Sequence, residues 1–186
     1  KAYPAEAEEF KKRINGELYD FANDESLYAF EKADATRSTS SAVLNRLAEK
    51  IPALFGGSAD LGPSNKSVMK NKGYYSPENR AGANIHFGVR EQSMAAICNG
   101  IYLHGGFISY CATFFVFSDY LKGSLRLSAL MKLPVIYILT HDSIGVGEDG
   151  PTHEPIDQLA SHRATPDVKV YRPADGKETT AAWISA

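Results

Sequence analysis

Residues 84–100 read Asn-Ile-His-Phe-Gly-Val-Arg-Glu-Gln-Ser-Met-Ala-Ala-Ile-Cys-Asn-Gly. Ile85 to Val89 is a short apolar strand, and within two residues the pattern turns helical, with Met94, Ala95, Ala96, Ile97 and Cys98 as its apolar positions. Glu91 stands where strand becomes helix. In an open parallel sheet, ligands bind at that edge, outside the carboxyl ends of the strands. A carboxylate there also meets the positive end of the helix dipole. Glu91 is therefore either a helix-capping charge or a working carboxylate, and other segments must decide.

Working outward, the same strand-then-helix alternation recurs. Residues 38–50 form a helix with Val43, Leu44, Leu47 and Ala48 inward, its Ser/Thr cluster supplying N-cap candidates and Pro52 ending it. Ala53 to Phe55 is a strand, followed by a turn-rich run from Gly56 to Asn65. Residues 66–83 are irregular. Gly105 to Cys111 is a third strand, and a long helix is expected over Phe114 to Met131. Pro134 to Thr140 is a continuous apolar run, which suits a central strand buried on both faces. A loop from His141 to Pro155 carries two histidines, several acidic residues and three glycines. A helix over 154–163 and a strand over Val168 to Tyr171 follow. The expected fold is α/β: a doubly wound, mainly parallel sheet of five to six strands with helices on both faces.

Residues 5–22 read as a charged helix with a stripe of Phe10, Ile14, Leu18 and Phe21, and a short polar helix is expected near 26–32. Residues 1–32 are thus expected to connect from a preceding domain, with 33–186 as the domain proper. Both ends read as cut, the second in mid-helix.

A length of 186 residues suffices for one α/β core. The net charge of -2 argues against a nucleic-acid or anionic-membrane partner. Cys98 and Cys111 lie in apolar runs without metal-ligand spacing and read as buried thiols, which suits a cytoplasmic setting. No secretory leader pattern, membrane-length run, dinucleotide fingerprint or Walker phosphate loop occurs.

Gly88-Val89-Arg90-Glu91, the run Ala112 to Tyr120 (Ala-Thr-Phe-Phe-Val-Phe-Ser-Asp-Tyr) and the run His141 to His153 (His-Asp-Ser-Ile-Gly-Val-Gly-Glu-Asp-Gly-Pro-Thr-His) together resemble the transketolase family. Ala35-Thr36-Arg37, Gly57 to Leu61 and Arg172 to Asp175 agree. The similarity is to the module that binds the aminopyrimidine ring of thiamine diphosphate, and implies that fold for residues 33–186, ending before its last strand. It implies that Glu91 hydrogen-bonds the pyrimidine nitrogen, that Phe114, Phe117 and Tyr120 wall the ring with Phe117 stacking on it, and that Asp60 and Leu61 lie near the cofactor at a dimer interface. On the substrate side it implies that Asp149 and His153 meet the donor's hydroxyls and carbonyl, His153 also serving catalysis, and that Arg37, Ser64 and His141 hold a sugar phosphate.

The implied reaction moves a two-carbon ketol unit from a ketose phosphate to an aldose phosphate. Cys111 and Ala112 stand where family members often have two glycines. The Gly-Asp-Gly signature that binds the cofactor's diphosphate and metal is missing, so no metal ligand is expected here. The Mg or Ca ion falls to a diphosphate-binding domain, a homodimer is implied, and this chain alone is expected to be inactive. Dihydroxyacetone synthase, another thiamine enzyme, and a non-catalytic dimerisation module of the same fold remain alternatives.

Overall fold

A computed structural model describes residues 2–186. Its helices are α1 (Pro4–Ile14), α2 (Thr36–Lys50), α3 (Gly62–Asn65), α4 (Glu91–His104), α5 (Ser118–Leu130), α6 (Gln158–Ala164) and α7 (Gly176–Ser185). Its strands are β1 (Leu54–Ser58), β2 (Asn84–His86), β3 (Ile108–Phe114) and β4 (Ile136–Thr140). The strands pair in parallel in the order β2-β1-β3-β4. The chain leaves β1 for one side of the sheet and returns to the other, so a switch point lies beside β1, where an open α/β sheet forms its crevice.

Alternation along β3 feeds two cores. Tyr110 and Ala112 join Val43, Leu44, Leu47, Met69 and Trp183 under α2 and α7. Cys111, between them in sequence, joins Phe87, Met94, Ala95, Cys98, Leu121 and Leu125 under α4 and α5. Helices thus cover both faces, as the doubly wound plan requires. Both cysteines are free and buried, and burial pushes the Cys111 thiol up.

Several expectations need correction. The described residues form four strands, not five or six. Residues 168–171 make no ladder; they stand across a cavity of about 870 Å³ from β4, without a paired neighbour to make them a strand. That leaves β4 on a sheet edge, with Ile136, Tyr137 and Leu139 only half-buried rather than enclosed on both faces. Helix α2 begins at Thr36, so Ala35 is its N-cap and offers no side-chain bond. The hydroxyls expected to cap it act within the helix instead: Thr39 pairs with Thr179 at 3.1 Å, and Ser40 accepts from Trp183 Nε1 at 2.9 Å, tying α2 to α7.

The expected 5–22 helix stops at Ile14, and a left-handed Gly16 turns the chain away. Of its apolar stripe, Phe10, Ile14 and Leu18 are exposed, Leu18 by 93%, and only Phe21 packs against the core under α2 and α7. The short polar helix is a 3-10 turn over Glu25–Tyr28.

The correction that matters most for function concerns Phe114. It is the last residue of β3, with extended backbone, not the first of a helix. A 3-10 turn over Phe115–Phe117 intervenes before α5. The aromatic run is thereby delivered at the sheet's carboxyl edge.

Candidate active site

Four strands end at one edge, and each delivers part of the site. After β1 come Asp60 and Leu61, Asp60 with a left-handed backbone. After β2 comes Arg90, which caps α4 by position and donates from Nη1 to the Phe87 carbonyl at 3.0 Å. Glu91, the first residue of α4, is 9% exposed. None of the three ion pairs among the described residues, Arg13–Glu9, Lys50–Asp24 and Arg172–Asp142, engages it. Glu91 lines a cavity of about 660 Å³ with Asp60, Leu61, Phe117 and Tyr120. That volume suits a small-molecule or cofactor site.

The aromatic wall is continuous. Phe114 and Phe117 stack with ring centroids 5.9 Å apart and planes 10° apart. Tyr120 leans on Phe117 at 6.2 Å. His153 meets Phe117 edge-on at 5.2 Å and Phe114 at 5.9 Å. His141 stacks on Phe114 at 3.7 Å. The wall thus runs from the Glu91 cavity to the loop after β4. An open cavity bounded by the withdrawn Glu91 carboxylate and the rings of Phe117 and Tyr120 fits a flat heterocycle with a hydrogen-bonding nitrogen.

At the far end, Arg37, Ser64 and His141 come together. Arg37 Nη1 lies 2.8 Å from His141 Nε2 and donates to the Ser64 main-chain carbonyl at 3.3 Å. Burial, and then the Arg37 charge, hold His141 below the usual histidine range, and Asp149 opposes that shift. Asp149 itself is exposed and lies close enough to His141 to be felt as charge. Arg172 is bound to Asp142 instead, by Nε to Oδ2 at 2.7 Å.

The three histidines outside the loop differ in setting. His86 stacks on Tyr74 at 3.9 Å, and His104 is exposed at the end of α4. His162 is 3% exposed, meets Ser118 Oγ at 2.7 Å, and is held below its ordinary value by burial and then by Lys122. A histidine whose folded-state pKa is lowered stabilises the fold fully above about pH 6.5, and that contribution is lost as pH falls through the folded value. The midpoint of urea unfolding should therefore be flat between about pH 7 and 8 and fall below about pH 6.5. In that window His162 contributes a slope of up to about 1.4 kcal/mol per pH unit. His162→Gln should reduce the slope, leaving the share that His141 contributes; an unchanged slope in that variant would refute the assignment.

A family model described as "Transketolase, pyrimidine binding domain" matches residues 32–186. This chain belongs to that family. It is 54% identical over 184 residues to the transketolase of Halalkalibacterium halodurans, covering 98% of this chain and 28% of that protein. It superimposes with a TM-score of 0.93 and 44% identity on the Pichia stipitis transketolase in complex with sedoheptulose 7-phosphate, covering 99% of this chain and 28% of that one. A split-gene transketolase, described as an inactive β4 tetramer, matches with a TM-score of 0.65 and 26% identity, over 83% of this chain and 48% of that one. The chain thus spans little more than a quarter of the full-length relatives.

The family resemblance did not single out the buried polar residues behind the edge. Asn65 donates from Nδ2 to Ser58 Oγ at 2.8 Å and accepts from Thr140 Oγ1. Ser58 Oγ donates to the Ala112 carbonyl at 3.0 Å, and Thr140 Oγ1 lies 2.9 Å from His141 Nδ1. Their signal in the sequence is slight: a hydroxyl closing each of two apolar strands, Ser58 and Thr140. Pairing them needed Asn65, which the turn composition of 56–65 conceals.

Proposed function

We propose that residues 33–186 are the pyrimidine-binding module of a transketolase, behind a helical connector over residues 1–32. The observation that carries this reading is that buried Glu91 shares one cavity with Phe117, Tyr120, Asp60 and Leu61. A non-catalytic relative of the same fold would have no need to keep a carboxylate withdrawn from water, unpaired and faced by rings.

When bound, thiamine diphosphate supplies the nucleophilic carbon on which the ketol unit changes hands. Glu91 hydrogen-bonds the pyrimidine nitrogen and holds a proton there, Phe117 stacks on the ring with Phe114 and Tyr120 completing the wall, and Asp60 and Leu61 border it. His153 stands against the same rings and meets the donor's carbonyl and first hydroxyl, and Asp149 meets another hydroxyl. The sugar phosphate sits at the corner formed by Arg37, Ser64 and His141, where the guanidinium fork of Arg37 suits oxyanions.

The Mg or Ca ion and the diphosphate belong to a diphosphate-binding domain outside this chain, facing it across a homodimer. No helix among the described residues is long and apolar enough to cross a membrane. The two buried free thiols suit a reducing compartment, and on that ground we place the enzyme in the cytoplasm.

By itself the chain should show no ketol transfer, and thiamine diphosphate should raise its melting temperature little. The split-gene relative described as inactive supports that expectation. Combined with the diphosphate domain of a family protein, the chain should transfer ketol units between sugar phosphates. Saturating cofactor at about 100 times Kd should then stabilise it by about 2.7 kcal/mol. No transfer in the combined protein would overturn the reading. Efficient use of formaldehyde as acceptor would move the assignment to dihydroxyacetone synthase.

A further inference from the structure

The hydrogen bonds behind the Arg37 corner run in one direction, and both ends dictate it. At the inner end the Ala112 carbonyl can only accept, so the single proton of Ser58 Oγ points to it. Ser58 must then accept from Asn65, which sets the amide nitrogen toward Ser58 and Oδ1 toward Thr140. Thr140 spends its proton on Asn65 Oδ1 and can only accept from His141 Nδ1. At the outer end the Arg37 guanidinium can only donate, so His141 Nε2 must accept. The two requirements meet on one species of imidazole, neutral with its proton on Nδ1.

The consequence reaches the guanidinium. Nη1 has two protons, and its two acceptors are His141 Nε2 and the Ser64 carbonyl. Among the described residues no acceptor is bonded to Arg37 Nε or Nη2. Those atoms form the edge of the fork that grips two oxygens of an oxyanion at once. A wrong tautomer would turn an N–H of His141 against an N–H of Arg37 and release that edge.

We propose that Asn65 and Thr140 are positioning residues that lock the Nδ1–H tautomer of His141, so that the imidazole and the Ser64 carbonyl hold Arg37 with its Nε–Nη2 edge turned to a phosphate. The tautomer lock stands on the hydrogen bonds alone; its use toward phosphate rests on the function proposed above.

The test has two arms. Nitrogen-15 NMR of the imidazoles in the present chain, without ligand, should give His141 one protonated nitrogen, Nδ1, and one unprotonated, Nε2. Thr140→Val should yield a mixture of tautomers, and Thr140→Ser should restore the single form. In the combined enzyme, Thr140→Val should raise the KM for sugar phosphates about threefold to tenfold, the loss of one net hydrogen bond, with kcat nearly unchanged. Thr140→Ser should bring KM back. A tautomer mixture in the unmodified chain, or a KM indifferent to Thr140→Val once the tautomer has changed, would overturn the proposal. The first arm involves no substrate, so its result is independent of whether the combined enzyme transfers ketol units.

Discussion

Glu91→Ala in the combined enzyme is expected to lower kcat by about 10²–10⁴-fold, the range lost when a positioned proton donor is removed. The KM for sugar phosphates should change far less, because Arg37, Ser64 and His141 sit at the other end of the aromatic wall. Glu91 is 9% exposed, meets no ion-pair partner among the described residues, and lines the cavity it shares with Phe117 and Tyr120. A carboxyl in that setting is held for a ligand that enters the cavity. Glu91→Gln separates two parts of the role. Glutamine keeps a hydrogen-bond donor but cannot pass a proton, so it should retain more cofactor affinity than alanine and still lose most turnover. Steady-state kinetics on the three proteins, with isothermal titration of thiamine diphosphate, measures both. Near-normal turnover of Glu91→Ala would remove the basis for the proposed function.

What the sequence disclosed follows from which physical signal each segment carries. Helix α4 was legible because Met94, Ala95 and Cys98 repeat at helical spacing and all three are buried. The edge position of Glu91 was legible for the same reason, since a strand running into a helix puts their junction at the sheet's carboxyl end. The proximity of Arg37, Ser64 and His141 was not readable from spacing, as they lie on three separate segments; the family resemblance brought them together. Phe114 was misplaced because an aromatic run satisfies strand and helix patterns alike. What fixes it as strand is the ladder register, Phe114 opposite Thr140 and Thr113 opposite Leu139, and register is non-local. The strand expected over 168–171 failed for a related reason: its residues suit a strand, but a strand exists only by pairing. The Asn65–Thr140 bond spans 75 positions and joins residue types that elsewhere mark turns and surfaces.

Gly56 and Gly57 carry the last of these lessons and the largest expected effect on stability. By composition they belong to a turn; in the fold they are central residues of β1, buried, with Gly57 opposite Ile85 and Gly56 opposite Tyr110. A Cβ at Gly57 would fall 2.0 Å from the Ile85 carbonyl oxygen, and one at Gly56 2.0 Å from that of Tyr110. Both obstacles are backbone, so a rotamer change cannot relieve them, and β1 would have to move away from a neighbour. Overpacking in a close-packed interior costs about 1–3 kcal/mol, and a clash with ladder backbone belongs at or above the top of that range. Gly57→Ala should therefore lower unfolding stability by about 3 kcal/mol or more, a large share of the roughly 5–15 kcal/mol that holds a domain together. Gly100 is the internal control. It lies exposed inside α4, and a Cβ there meets nothing within 4 Å. Gly100→Ala should accordingly stabilise the chain by about 0.5–1 kcal/mol through reduced backbone freedom in the unfolded state. Urea midpoints measured side by side should move in opposite directions. If Gly57→Ala matched the unsubstituted chain, the close approach of β1 to its neighbours would be wrong, and with it the registration that brings Ser58 and Asp60 to the same edge as Phe114 and His141.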